Sequence, residues 1–352
     1  MHMHKAKVDE DKCFASLSLL HILVSHTNIY SIICTSVYPF FFQTGNQEFE
    51  DSMATYSPFI IFIVSAFSLV SLCSSIPFIL LHGRLGDSCS NPGPVLYTQQ
   101  LRYLSGSVGF CLEVGNGAIT SWDTPLEAQV EEVCRKVKAT PELQNGYNIV
   151  GQSQGNLVGR GLVELCDDAP PAINFISLGG PHAGVASIPN CSQFDALCNH
   201  YTALLGRGVY TNYVQAHVAP SGYTKLPYDY LVYLAKCSFL PKLNNELLQK
   251  NATYKQRITN LKNLVLIMFQ EDGVVKPKES SLFGYYADGI PGPVLPLQQT
   301  RLYTEDWIGL RTLDETGRLK LISVPGVHLL ISLSDTMRYV VPYLKDDASV
   351  KP

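Results

Sequence analysis

The sequence is short of charge. Only 16% of its 352 residues are Asp, Glu, Lys or Arg, and 26 basic against 30 acidic residues leave a net charge of −4. Without a basic excess there is no electrostatic drive toward a phosphate backbone, which excludes nucleic-acid binding as the main activity. A hydrophobic content of 46% excludes a disordered chain, and 10 cysteines spread over this length exclude a small disulfide scaffold. There is no CxxC pair and no histidine spacing of a zinc site, so neither a metal nor a nucleotide cofactor is expected. The length fits one α/β domain of about 250 residues plus additional segments.

Charge is missing altogether between Met53 and Gly83, where Phe59 to Cys73 is almost wholly apolar. A run of about fifteen residues falls short of the roughly 20 that span a bilayer, but it suits the core of a secretory signal closed by the small residues Cys73-Ser74-Ser75. Residues 53–75 are read as a signal peptide, with translation from Met53 supplying the missing positive charge through the α-amino group. A signal anchor and a buried helix are the competing readings. Residues 1–52 are read as a non-structural extension, although Ile29 to Phe42 is a second apolar run. Secretory passage leaves seven cysteines in an oxidising compartment: Cys89, Cys111, Cys134, Cys166, Cys191, Cys198 and Cys237. The number is odd, so at least one thiol is unpaired or pairs outside the chain. Two sequons, Asn190-Cys-Ser192 and Asn251-Ala-Thr253, agree with that route. Asn251 is the better acceptor, because Asn190 abuts a cysteine.

Beyond residue 75, short buried-strand runs alternate with amphipathic stretches, the pattern of an α/β fold with a mainly parallel sheet. Strands are expected at Phe78–Leu81, Phe110–Val114, Tyr147–Val150, Ile173–Leu178, Asn263–Phe269 and Leu319–Val324. Thr124-Pro-Leu-Glu127 reads as a capping box for a helix whose apolar stripe is Leu126, Val130, Val133, Cys134 and Val137. A last amphipathic helix is expected from Ile331 to Leu344.

The strand at Tyr147 runs directly into Gly151-Gln-Ser153-Gln-Gly155 and then an apolar helix. GxSxG between strand and helix is the turn that exposes a nucleophilic serine at the carboxyl edge of a sheet, which assigns that role to Ser153. The helix that follows offers backbone N–H groups to an oxyanion, and the amide of Gln154 is the first expected donor. The second is expected from Arg84 or Leu85, in the glycine-containing turn after the first strand. A serine nucleophile needs a histidine and an orienting carboxylate, in chain order Ser, Asp, His. His182, His200, His217 and His328 follow Ser153, and only His328 leaves a late strand through a short Pro-Gly loop. His200 and His217 fall in a polar region read as surface loops, while His182 lies near the same sheet edge. Gln270-Glu-Asp272-Gly273 immediately follows the strand at Asn263, which makes Asp272 the natural orienter. Glu271 is its neighbouring alternative, whereas Asp288, Asp306 and Asp314 sit in turns read as solvated surface.

Together these residues resemble the palmitoyl-protein thioesterases, lysosomal α/β-hydrolases that remove fatty acyl groups from cysteines. The resemblance runs from about Phe78 to Leu344. It is carried by Gly146 to Gly155, His82-Gly83 with Gly86 to Pro92, Ile173 to Gly180 with His182 to Val185, Phe283 to Tyr286, and Leu302 to Asp306. It implies an α/β-hydrolase fold over residues 76–346 with a helical cap inserted at about 182–262, then a tail at 347–352. It further implies hydrolysis of long-chain acyl thioesters of S-acylated proteins, with Ser153, Asp272 and His328 as nucleophile, acid and base. Disulfides Cys134–Cys166 and Cys191–Cys198 are implied in the same way, leaving Cys89, Cys111 and Cys237 without an assigned partner. The chain departs from the family in two places: Arg84-Leu85 makes the first loop one residue longer, and Cys89 is followed by Ser90 where the family has a second cysteine. A secreted lipase or carboxylesterase and a noncatalytic binding module are the rival readings.

Overall fold

The computed structural model describes residues 75–83, 87–187, 191, 195–290 and 292–345, within the compact unit 74–352. The extension, nearly all of the signal segment and the tail lie outside the described residues, as do Arg84, Leu85 and Asn190.

Six runs rich in Ile, Leu, Val and Phe become strands of one parallel sheet: β1 Phe78–Leu81, β2 Gly109–Cys111, β3 Tyr147–Gln152, β4 Ala172–Leu178, β5 Asn263–Phe269 and, after a small antiparallel pair β6 Tyr285–Tyr286 and β7 Val294–Leu295, β8 Leu319–Val324. Their spatial order is β2-β1-β3-β4-β5-β8. Side chains on a strand alternate between faces. Ile79, Leu81, Ile149, Phe175, Leu264 and Leu266 therefore enter one core, and Phe78, Leu80, Val150, Ile176, Val265 and Ile267 enter the other. A sheet apolar on both faces must be covered twice, which is why these strands lack an alternating polar pattern. This is the α/β-hydrolase arrangement. Between β4 and β5 the described chain is largely helical, including Ala196–Gly206, Asn212–His217 and Tyr230–Lys236. His200 and His217 thus lie on helices rather than in loops.

Three sequence expectations need correction. The capping box does not form: helix α1 Leu126–Ala139 begins after Pro125 with no side-chain cap, while Thr124 Oγ1 donates to Asp123 Oδ1. The second strand lies earlier than expected, because its short pairing with β1 ends at Leu80 opposite Cys111. The last helix is only Leu333–Tyr339, stopping where Pro342 removes a backbone donor and a 3₁₀ turn takes over.

Among the described residues, three disulfides clasp the fold. Cys134–Cys166 joins α1 to the end of helix α2 Gly155–Leu165, Cys191–Cys198 closes a tight loop, and Cys89–Cys111 ties the loop after β1 to β2. The last pairs two cysteines that the sequence left without partners. Cys237 is a buried free thiol, and burial pushes its pKa up to about 12.

Helix α2 carries a buried ionic cluster. Arg160 donates to Glu164 Oε1 at 2.9 Å, to Asn244 Oδ1 at 2.8 Å and to the Leu243 carbonyl at 3.0 Å. It thereby ties this helix to the segment between β4 and β5. Burial raises the Glu164 pKa to about 7, and the adjacent Arg160 offsets only part of that rise. A carboxyl with a folded pKa above its unfolded value near 4.5 stabilises the fold most fully at low pH, and this contribution is lost as pH rises through 7. At 1.36 kcal/mol per pKa unit the effect is about 3 kcal/mol. Glu164→Gln should therefore flatten the decline in unfolding free energy between pH 4.5 and 7.5, measured by denaturant titration. A variant whose decline matches that of the parent would refute the assignment.

Candidate active site

The end of β3 and the start of α2 form a sharp turn on which Ser153 holds φ at +48°. This left-handed conformation is uncommon for a residue with a side chain. It is held by pairing on both sides, since the Ser153 N–H donates to the Leu178 carbonyl at 2.9 Å and its own carbonyl accepts from the Asn156 side-chain amide at 3.0 Å. The flanking glycines are steric requirements. A Cβ on Gly151 would lie 2.2 Å from Asn156 Oδ1, and one on Gly155 would lie 2.3 Å from the Leu81 carbonyl.

Three side chains from separate strand ends meet here. His328, in the loop after β8, places Nε2 2.9 Å from Ser153 Oγ and Nδ1 2.7 Å from Asp272 Oδ2. Asp272, after β5, spends its other oxygen on the N–H groups of Val274 and Val275 at 2.8 and 2.9 Å. With its side chain excluded from solvent, an ionised Asp272 can only accept, so the imidazole carries its proton on Nδ1 and presents Nε2 to the serine hydroxyl. That tautomer is the one a general base requires. Glu271, the alternative orienter, instead accepts from the Gly326 N–H and anchors the loop that carries His328. Gly179 lies close beneath the ring, where a Cβ would stand 3.1 Å from His328 Cε1.

The remaining candidates go elsewhere. His182 is fully buried, with Nε2 2.8 Å from Ser177 Oγ and its ring stacked on Phe283. Burial, and secondarily Arg160, hold its pKa well below the usual histidine value, so it is a neutral core residue. Asp306 is not solvated surface: it is buried, bonds Thr312 and pairs with Lys255. Asp314 accepts from the Tyr303 hydroxyl, and Asp288 faces Arg301 at 3.8 Å. His82, Glu113 and Cys89 cluster like metal ligands, but the Cys89 sulfur is bound to Cys111 and offers no thiolate. The expected donor Gln154 starts α2, with its N–H 3.3 Å from the Gly83 carbonyl.

Sequence reasoning missed the supports: Asn156 behind the turn, Gly179 beneath the imidazole, and the Val274 and Val275 amides on Asp272. Only the last had a readable signal, an Asp-Gly pair prone to bond its own following backbone.

Gly155→Ala forces a methyl against backbone oxygen that no side-chain movement relieves, so any hydrolysis that depends on Ser153 should fall about a hundredfold in a steady-state assay. Activity near the parent level would show that the turn can open to admit a Cβ.

Residues 77–328 match the sequence profile of the family described as Palmitoyl protein thioesterase. Palmitoyl-protein thioesterase 1 of Caenorhabditis elegans is 37% identical over 74% of this chain and 88% of its own, and palmitoyl-protein thioesterase 3 of Dictyostelium discoideum is 35% identical over 84% of this chain and 100% of its own. A protein of Xenopus laevis named lysosomal thioesterase PPT2-B is 31% identical over 71% of this chain and 85% of its own. With the parallel sheet, the serine turn and a match over most of its length, this chain belongs to the palmitoyl protein thioesterase family.

Proposed function

We propose that the chain hydrolyses long-chain acyl thioesters of S-acylated proteins through an acyl-serine intermediate. The observation that carries this is the His328 imidazole, hydrogen-bonded at once to Asp272 and to the hydroxyl of Ser153. In the first stage Nε2 takes the Ser153 proton as Oγ attacks the thioester carbonyl, and the resulting imidazolium is stabilised by Asp272. Collapse of the tetrahedral adduct expels the cysteine thiolate, which takes up the proton from His328. Water, deprotonated by the same nitrogen, then attacks the acyl-enzyme and releases the fatty acid. The Gln154 amide acts as one oxyanion donor, exchanging its long contact with Gly83 for the developing charge. A donor from Arg84 or Leu85 completes the hole.

The acyl chain lies against the helical insertion at about 182–262, which packs on the short helix Thr120–Asp123 where Tyr201 stacks on Trp122. Each buried CH₂ contributes about 0.8 kcal/mol, so a long chain is preferred over a short one. The disulfides and the exposed sequon at Asn251 support passage through the secretory pathway to a lysosome or vacuole. On that route residues 53–75 serve as the cleaved signal and Asn251 carries a glycan.

The direct test compares palmitoyl thioester with the matched oxygen ester, using protein expressed from Met53 through a secretory route. Thioester turnover should exceed ester turnover and disappear in Ser153→Ala. Preference for the ester would favour a lipase, and a folded protein that cleaves neither would favour a binding module. Asp272→Asn should lower kcat by about 10⁴ with little change in KM, because the imidazole loses the partner that fixes its tautomer. Retention of more than a tenth of the parent kcat would remove Asp272 from the mechanism.

A further inference from the structure

The Gln154 side chain is nearly inaccessible to solvent and is held from two directions. Its Nε2 donates to the Ser121 carbonyl at 2.8 Å, and its Oε1 accepts from the Tyr223 hydroxyl at 3.1 Å. Ser121 belongs to a short helix, Thr120–Asp123, after β2, whereas Tyr223 ends a 3₁₀ turn, Ala219–Tyr223, in the insertion between β4 and β5. Neither touches Ser153, His328 or Asp272 in the described contacts, yet together they fix the residue whose backbone N–H follows the nucleophile. The backbone contact of that N–H, to the Gly83 carbonyl, is long at 3.3 Å. The Gln154 carbonyl accepts the helical bond from the Leu157 N–H at 2.9 Å, and the two side-chain bonds are the further short attachments of residue 154.

We infer that Tyr223 is a positioning residue for the oxyanion hole: its hydroxyl, through the Gln154 side chain, sets the Gln154 amide where charge develops on the thioester oxygen. The inference rests on the proposed acyl-serine mechanism. Tyr223 is suited to the task because its ring is buried and its phenol is pushed by burial well above the ordinary tyrosine range, so it stays a donor at every working pH. An oxyanion hole works by holding donors in place before the charge appears, so a looser amide weakens the transition state and leaves the ground state nearly unchanged. The geometry also gives the insertion a second task. Besides lying against substrate, it holds one end of the hydrogen-bonded tether on the catalytic turn.

The test uses the full secreted chain with Tyr223→Phe, which keeps the ring and deletes one oxygen. Expected are a fall of about tenfold in kcat on palmitoyl thioester, KM within twofold of the parent, and an unchanged midpoint for the acid limb of the kcat–pH profile, because His328 is untouched. The inhibition constant of a long-chain trifluoromethyl ketone, which forms a tetrahedral adduct on Ser153, should weaken by the same factor as kcat. Gln154→Ala removes both attachments, and adding Tyr223→Phe to it should cost nothing further. A parent-like kcat, a loss confined to KM, an unchanged ketone constant beside a reduced kcat, or additive losses in the double variant would each overturn the inference. Thioester turnover by the parent that vanishes in Ser153→Ala establishes the underlying mechanism independently of these outcomes, so the two readings fail separately.

Discussion

The site depends on how closely one backbone can approach another where β1 ends beside the serine turn. A Cβ on Gly155 would lie 2.3 Å from the Leu81 carbonyl, so the chain has no room there for any side chain. That contact seats the start of α2 against the sheet edge, two residues after Ser153, which holds the left-handed conformation. Ser153 must then point away from both, toward the ends of β5 and β8. The hydroxyl is exposed to a base because the backbone behind it is compressed. Packing energy spread over two cores holds the strain in place.

Hydrogen bonds to backbone do the rest of the positioning. Asp272 is fixed by two amides of its own loop, the His328 loop is fixed by Glu271, and Asn156 bridges Ser153 and Leu178 from behind. The Asp272 carboxylate is thus bonded directly to the scaffold, while Ser153 and His328 are held through their own backbone or loop. Such support keeps donors and acceptors aligned before substrate arrives, so little reorganisation is left for the reaction. The Arg160 cluster extends the same logic outward, joining the helix behind the nucleophile to the segment that covers it.

Much of this was legible in the sequence for an identifiable reason. Buried parallel strands are uninterrupted apolar runs, so β5 and β8 could be bounded to the residue. That Ser153, Asp272 and His328 gather at one sheet edge was legible because each lies within four residues of the end of such a run. Side-chain amides and single glycines carry no comparable signal. Nothing in Asn156, Gly179 or Gln154 says which backbone group each will face, because the partner is fixed only when distant strands align. The capping box failed for a related reason: Thr124 had a nearer partner in Asp123, and local competition of that kind is invisible to a spacing rule. The Cys89–Cys111 bond was likewise hidden, since pairing depends on β2 lying beside β1.

Cys237 bears on how this chain matures. Exchange between thiols and disulfides proceeds through a thiolate, and a pKa of about 12 leaves only about one molecule in 10⁵ ionised at neutral pH. Once folded, Cys237 cannot attack the three disulfides, so among the described residues the cross-links are protected by the burial of the one free thiol. Before folding, when that thiol is exposed and ordinary, it can compete for the same partners. Closure of the core around Cys237 thus removes this thiol from exchange with the described disulfides.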